Sequence, residues 1–152
     1  MYANLDIHNE ILSILHFPFN GTEQMRTLFK NCYLLLRIFC LLNKRNQEIL
    51  SAHLDHFISQ MGVKLNVSET IEAVLNNNPV LAAKIDQSFL RQWMRLFREV
   101  GKKRAYLIPL DHLLHGDIPS STLLIIQTLV IDEIKASGSQ VLLFIYSLKL
   151  KQ

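Results

Sequence analysis

The side chains best equipped for chemistry come as histidine pairs. His53 and His56 stand three residues apart with Asp55 between them, and His112 and His115 repeat the spacing beside Asp111 and Asp117. On a helix that spacing sets two imidazoles on one face, which is how a zinc site can begin. A zinc site also needs a third and a fourth ligand, and the chain has neither Cys-x-x-Cys nor His-Glu-x-x-His. The histidines are therefore expected to face solvent or to hydrogen-bond within the fold. There is no Gly-x-Ser-x-Gly elbow and no glycine-rich phosphate loop, and the five glycines all fall at breaks between segments. No pairing of acid, base and nucleophile emerges, so the sequence reads as non-enzymatic, with no cofactor or metal. Cys32 and Cys40 share one apolar helical stretch. About 12 Å of helix rise separates them, too far for a disulfide, so they read as buried free thiols.

Charge supplies the one candidate interaction site. Arg91, Arg95, Arg98 and Lys102 form a single stripe along a helix, and Lys103 and Arg104 extend it. Glu99 is the only acid in residues 91–104, which gives that stretch +5 against +3 for the whole chain. Such a stripe suits docking to an acidic surface, either a neighbouring protein domain or phosphates. It is also what the solvated back of an amphipathic helix looks like. Nucleic acid would call for a second basic element or interleaved exposed aromatics, and neither is evident.

The elements that carry these residues are helical throughout. Apolar residues at steps of three and four mark helices over 6–16, 22–43 and 47–61, a short one over 68–75, and a turn or two over 79–85. Further helices follow over 88–100, 102–115 (with Pro109 inside) and 120–136. Thr22 or Gly21, Ser68, and Asp86 or Ser88 are candidate caps, Pro79 suits a first helical position, and Gly62 and Gly101 are candidate stops. Asn20-Gly21-Thr22 and Asn66-Val67-Ser68 read as helix starts, despite matching the glycosylation pattern. Residues 141–146 (VLLFIY) are too short a run for periodicity to separate strand from helix. Phe89, Trp93, Leu96 and Phe97 are predicted to be the inner face of the helix that bears the basic stripe.

One domain of 152 residues, 49% of them hydrophobic, has enough apolar material for a real core. The longest apolar runs are 33–42, interrupted by Arg37, and 123–131, interrupted by Gln127. Both fall short of the roughly 20 residues that span a bilayer, so they read as core helices. Seven or eight helices joined by short turns make an all-α chain. Periodicity alone leaves open whether they form a bundle or an armadillo/HEAT-like α-solenoid of antiparallel helices.

Read in order, the segments resemble the helical homology domain of ryanodine receptors and inositol trisphosphate receptors, and more closely that of the latter. The resemblance starts at Ile11-Leu12-Ser13-Ile14-Leu15 and passes through Phe39-Cys40-Leu41-Leu42-Asn43 and Asn46-Gln47-Glu48-Ile49-Leu50. It continues in His53-Leu54-Asp55-His56-Phe57-Ile58, in 71–78, in 89–101 and in 138–146, covering 7–147 in all. Its departures are Pro109, the rich basic run over 91–104 and a loose match around 64–67. The resemblance implies a solenoid fold and a place on the cytosolic face of the endoplasmic reticulum or another internal calcium store. There the chain would be a structural, coupling segment of a homotetrameric calcium-release channel, with other domains of that polypeptide as its partners. It implies no pore helix and no inositol phosphate pocket in this segment. A free-standing helical scaffold that binds an acidic partner is the alternative.

Overall fold

A computed structural model describes residues 6–99 and 120–137. These residues form eight α-helices and no strand: α1 (Ile7–Leu15), α2 (Glu23–Cys40), α3 (Lys44–Ser51), α4 (Leu54–Gln60), α5 (Val67–Leu75), α6 (Pro79–Ala82), α7 (Gln87–Glu99) and α8 (Ser120–Ser137). A 3-10 turn, Met61–Val63, follows α4. The expected helix over 102–115, the stop at Gly101, Pro109, His112, His115 and the run 141–146 lie outside the described residues.

Side-chain caps set the starts of α2, α3, α6 and α7. Asn20 Oδ1 accepts from the Thr22 amide at 3.0 Å, and Thr22 Oγ1 in turn accepts from the Met25 amide at 3.4 Å. That chain of acceptors satisfies orphan donors at the start of α2. Asp86 Oδ1 accepts from the Phe89 amide at 2.9 Å and caps α7. Pro79 occupies the first turn of α6, where its missing N–H removes nothing from the helix. At α5 the cap is Asn66 instead of Ser68, held by a left-handed backbone with no side-chain bond.

Packing runs from α1 onto α2, from α2 onto α3 and α5, from α5 onto α3 and α4, from α4 to α7, and from α7 to α8. This is an all-α helical-repeat arrangement in which α2 and α5 make the most extensive contacts. Phe29, Tyr33, Leu36 and Cys40 of α2, Ile71 and Val74 of α5, and Phe57 and Ile58 of α4 are buried in one continuous core with Leu90, Trp93 and Met94 of α7. Phe89 and Trp93 are inward as expected and their rings lie 5.7 Å apart; the side chain of Phe97 lies outside the described residues.

Two helices differ from their sequence pattern. The helix over 22–43 stops at Cys40, because Leu41 is extended and Leu42 left-handed, and Asn43 then caps α3 by accepting from the Asn46 amide at 3.2 Å. The helix over 47–61 breaks at Ala52 and His53 into α3 and α4. Periodicity could not register this break, since Leu50, Leu54, Phe57, Ile58 and Met61 are buried on both sides of it.

Candidate interaction site

Of the six basic residues, Arg91 and Arg95 are exposed one turn apart on α7. Arg98 belongs to the same helix, but its side chain lies outside the described residues, as do Lys102, Lys103 and Arg104 altogether. Arg91 and Arg95 both stand away from the face of α7 that holds Leu90, Trp93 and Met94 in the core.

Of the paired histidines, His56 hydrogen-bonds within the fold, and the pair His53 and His56 has a companion that the spacing did not reveal. His16, just past α1, stacks on His56 with ring centroids 4.3 Å apart and sits edge-on to His53 at 6.3 Å. His16 Nδ1 donates to the Leu12 carbonyl at 2.7 Å. Leu15 ends α1 with an orphan carbonyl, which accepts from Gln60 Nε2 at 3.0 Å; His56 Nε2 lies 3.1 Å from the same oxygen. Tyr33 Oη donates to Gln60 Oε1 at 2.7 Å and completes the tie between α1, α2 and α4. Burial, reinforced by neighbouring imidazoles, holds His53 below the usual histidine range; burial does the same to His56. Among the described residues no three His, Cys, Asp or Glu side chains converge as metal ligands. The cluster caps the end of α1.

A second buried polar group joins α3 to the end of α5. Gln47 Nε2 donates to the carbonyls of Ala73 at 2.9 Å and Asn76 at 3.0 Å, and Gln47 Oε1 accepts from Asn78 Nδ2 at 3.0 Å. Asn78 Oδ1 also caps α6 by accepting from the Leu81 amide. Beside the break between α3 and α4 lies an open cavity of about 240 Å³, lined by Ser51, Leu54, Asp55, Leu81, Lys84 and Phe89 among others. It brings together no set of donors that would select a ligand.

Cys32 and Cys40 are buried and unbridged, as expected. Burial raises the Cys32 thiol and pushes that of Cys40 up to about 11. Neither is a nucleophile at neutral pH. The run 33–42, expected to be a core helix, is buried on one side only and leaves the outer face of α2 exposed. Leu34, Leu35 and Ile38, with Leu41 and Leu42 just after the helix, are all half exposed or more. No helix among the described residues is long and apolar enough to cross a membrane.

A family model described as the RIH domain matches residues 1–134. The inositol 1,4,5-trisphosphate receptor itr-1 of Caenorhabditis elegans is 33% identical over 91 residues, which are 58% of this chain and 3% of that protein. The chain therefore spans only a small fraction of the length of this curated relative.

Proposed function

The chain belongs to the RIH domain family, the helical homology domain of ryanodine and inositol trisphosphate receptors, and on that premise we propose that it is a structural and coupling segment of an intracellular ligand-gated calcium-release channel. The observation that carries this reading is the family match along 1–134, supported by the likeness to the worm receptor. In this role the segment transmits movement between a ligand-binding region and a pore that both lie elsewhere in a homotetrameric parent. It does so as a stack of helices on the cytosolic face of the endoplasmic reticulum or another internal store.

Packed helices suit transmission, because close-packed cores pass strain on instead of absorbing it. The ties from Gln60 to the Leu15 carbonyl and from Gln47 to the Ala73 carbonyl stiffen the joints of α4 with α1 and of α3 with α5. The basic stripe of Arg91, Arg95, Arg98, Lys102, Lys103 and Arg104 would meet an acidic face of a neighbouring domain in the same parent. The segment performs no catalysis in this reading and binds neither nucleic acid nor membrane directly.

A chimera tests the proposal. The RIH-domain stretch of the worm receptor is replaced by residues 1–134 of this chain, which match the family model, and calcium release from microsomes is measured together with inositol trisphosphate binding. Release is expected to survive the exchange. In the same chimera, Arg91→Glu with Arg95→Glu should reduce release while ligand binding persists. If release is lost from an unmutated chimera that still binds ligand and assembles, the coupling role fails and a free-standing scaffold becomes the better account.

A further inference from the structure

Imidazoles from three places in the chain gather where α1 meets α4. His16, in the turn after α1, lies parallel to His56, with 8° between the planes and 4.3 Å between the centroids; His53 stands 6.3 Å from His16. His8, in the first turn of α1, stacks on Phe39 of α2 at 4.9 Å and acts electrostatically on His53. Among the described residues the ion pairs of the surrounding helices, Arg26 with Glu23 and Arg37 with Glu69, leave the histidines out. The charges that act on His53 are those of His16, His56 and His8, and the one that acts on His56 is that of His16. No charged group of α2, α5 or α7 among the described residues joins them. Asp6, Glu10 and Asp55, on α1 and α4, are exposed. Tyr33 of α2 stays neutral, because burial raises its hydroxyl above the usual tyrosine range.

The cluster is also the polar seam between α1 and α4. α1 packs chiefly on α2 and buries Ile11, Leu12 and Leu15. Its tie to α4 is the Leu15 carbonyl, with Gln60 Nε2 at 3.0 Å, His56 Nε2 at 3.1 Å, and those two nitrogens 3.0 Å from each other. A neutral His56 can accept from the Gln60 amide at Nε2; an imidazolium cannot, and sets two donors side by side. Two imidazolium rings stacked at 4.3 Å also repel, with no carboxylate between them. The joint between α3 and α5 contains nothing comparable, since Gln47 and Asn78 do not titrate.

We propose that this seam is a proton-operated latch, which holds α1 against α4 at neutral pH and lets α1 come away at mildly acidic pH while the other helices stay folded. Opening carries His8 and His16 off with α1 and leaves His53 and His56 on α4 in water. Burial and the neighbouring imidazoles lower both in the closed state, so on opening each returns to the ordinary histidine range and takes up a proton. The latch is therefore fully shut above about pH 6.5 and weakens as the pH falls. This inference is independent of the channel reading.

Hydrogen exchange of the full chain between about pH 7.5 and pH 5.5, corrected for the intrinsic pH dependence of exchange, tests it. The opening constant of α1 should rise by about tenfold per pH unit for each proton taken up. At the acid end the α1 amides should be unprotected while those of α5 remain protected. His53→Asn with His56→Gln should keep α1 protected throughout, and His16→Asn, an exposed change that removes the stacked ring, should make the loss shallower. α1 and α5 exchanging at one common rate at every pH would overturn the proposal, since the chain would then open only as a whole. Protection of α1 that does not change with pH would overturn it too, as would a loss as steep in the double variant as in the wild type. If the double variant does not fold, His16→Asn decides: a loss as steep as in the wild type rejects the latch.

Discussion

Trp93 shows what one residue can say about a helix's phase. Phe89, Leu90, Leu96 and Phe97 place it on an inner face by spacing alone, and it is 1% exposed. Trp93→Ala should cost about 3–5 kcal/mol. That is a large share of the roughly 5–15 kcal/mol that holds a typical domain together, and a urea titration would register it. The thiols were equally legible, because an apolar helical stretch buries what it carries. Cys32 and Cys40 should resist a disulfide reagent at neutral pH until the chain unfolds, which is read from the burst of labelling in denaturant. The histidines were only half legible, since His16 reaches His56 through the turn after α1, and no spacing rule links residues across a turn. Their linkage to pH has a definite sign. His53 and His56 are held below the histidine range in the native state, so between that lowered range and about 6.5 only the unfolded chain takes up their protons. Stability is therefore complete above about pH 6.5 and is lost as the pH falls below it. The melting temperature should drop between about pH 7.5 and pH 5.5, and His53→Asn with His56→Gln should flatten that drop.

At the scale of elements, helix existence was legible and helix continuity was not. The stretch over 47–61 contains no proline and no glycine before Gly62, yet the structure breaks it at Ala52 and His53. The cause is tertiary. Gln47 locks α3 to the carbonyls at the end of α5, whereas His56 and Gln60 bring α4 to the end of α1. One straight helix is replaced by two, each serving its own partners. Leu42 was misread for a related reason. A leucine after a run of helical leucines looks like more helix, and only the cap at Asn43 shows that the helix has already ended. The joint between α3 and α5 makes the energetic claim testable. Gln47→Ala removes the donor to two carbonyls and the acceptor for Asn78 Nδ2, leaving buried groups unpaired at about 1–3 kcal/mol. Gln47→Glu should be at least as damaging, because a carboxylate would then face the Ala73 and Asn76 carbonyls. A fall in the urea midpoint with an unchanged slope is the expected signature for both.

At the scale of the whole molecule, an ordered series of helices was legible because periodicity survives each turn, whereas the exposed outer face of α2 was not, since exposed and buried leucines of that helix are the same residue type. Charge raises the remaining question, whether a basic stripe in a relative of inositol trisphosphate receptors is itself a phosphate site. Binding of a multiply phosphorylated ring needs donors that converge from several elements, such as helix N-termini with Lys and Arg in bidentate geometry. Arg91 and Arg95 instead stand in line on the outer side of α7. A line of positive charge attracts an acidic face over about 10 Å at 0.1 M salt and weakens as salt rises. It gives little power to tell one phosphate isomer from another, because nothing fixes the ring. The isolated chain should therefore bind inositol trisphosphate weakly and without isomer preference when titrated calorimetrically at physiological salt. An acidic polypeptide should bind with an affinity that falls steeply with salt and falls again in Arg91→Ala with Arg95→Ala. Isomer-selective binding at micromolar concentration or tighter, lost in Arg95→Ala, would make α7 a ligand site in its own right. It would also move this segment from transmitting the signal to receiving it.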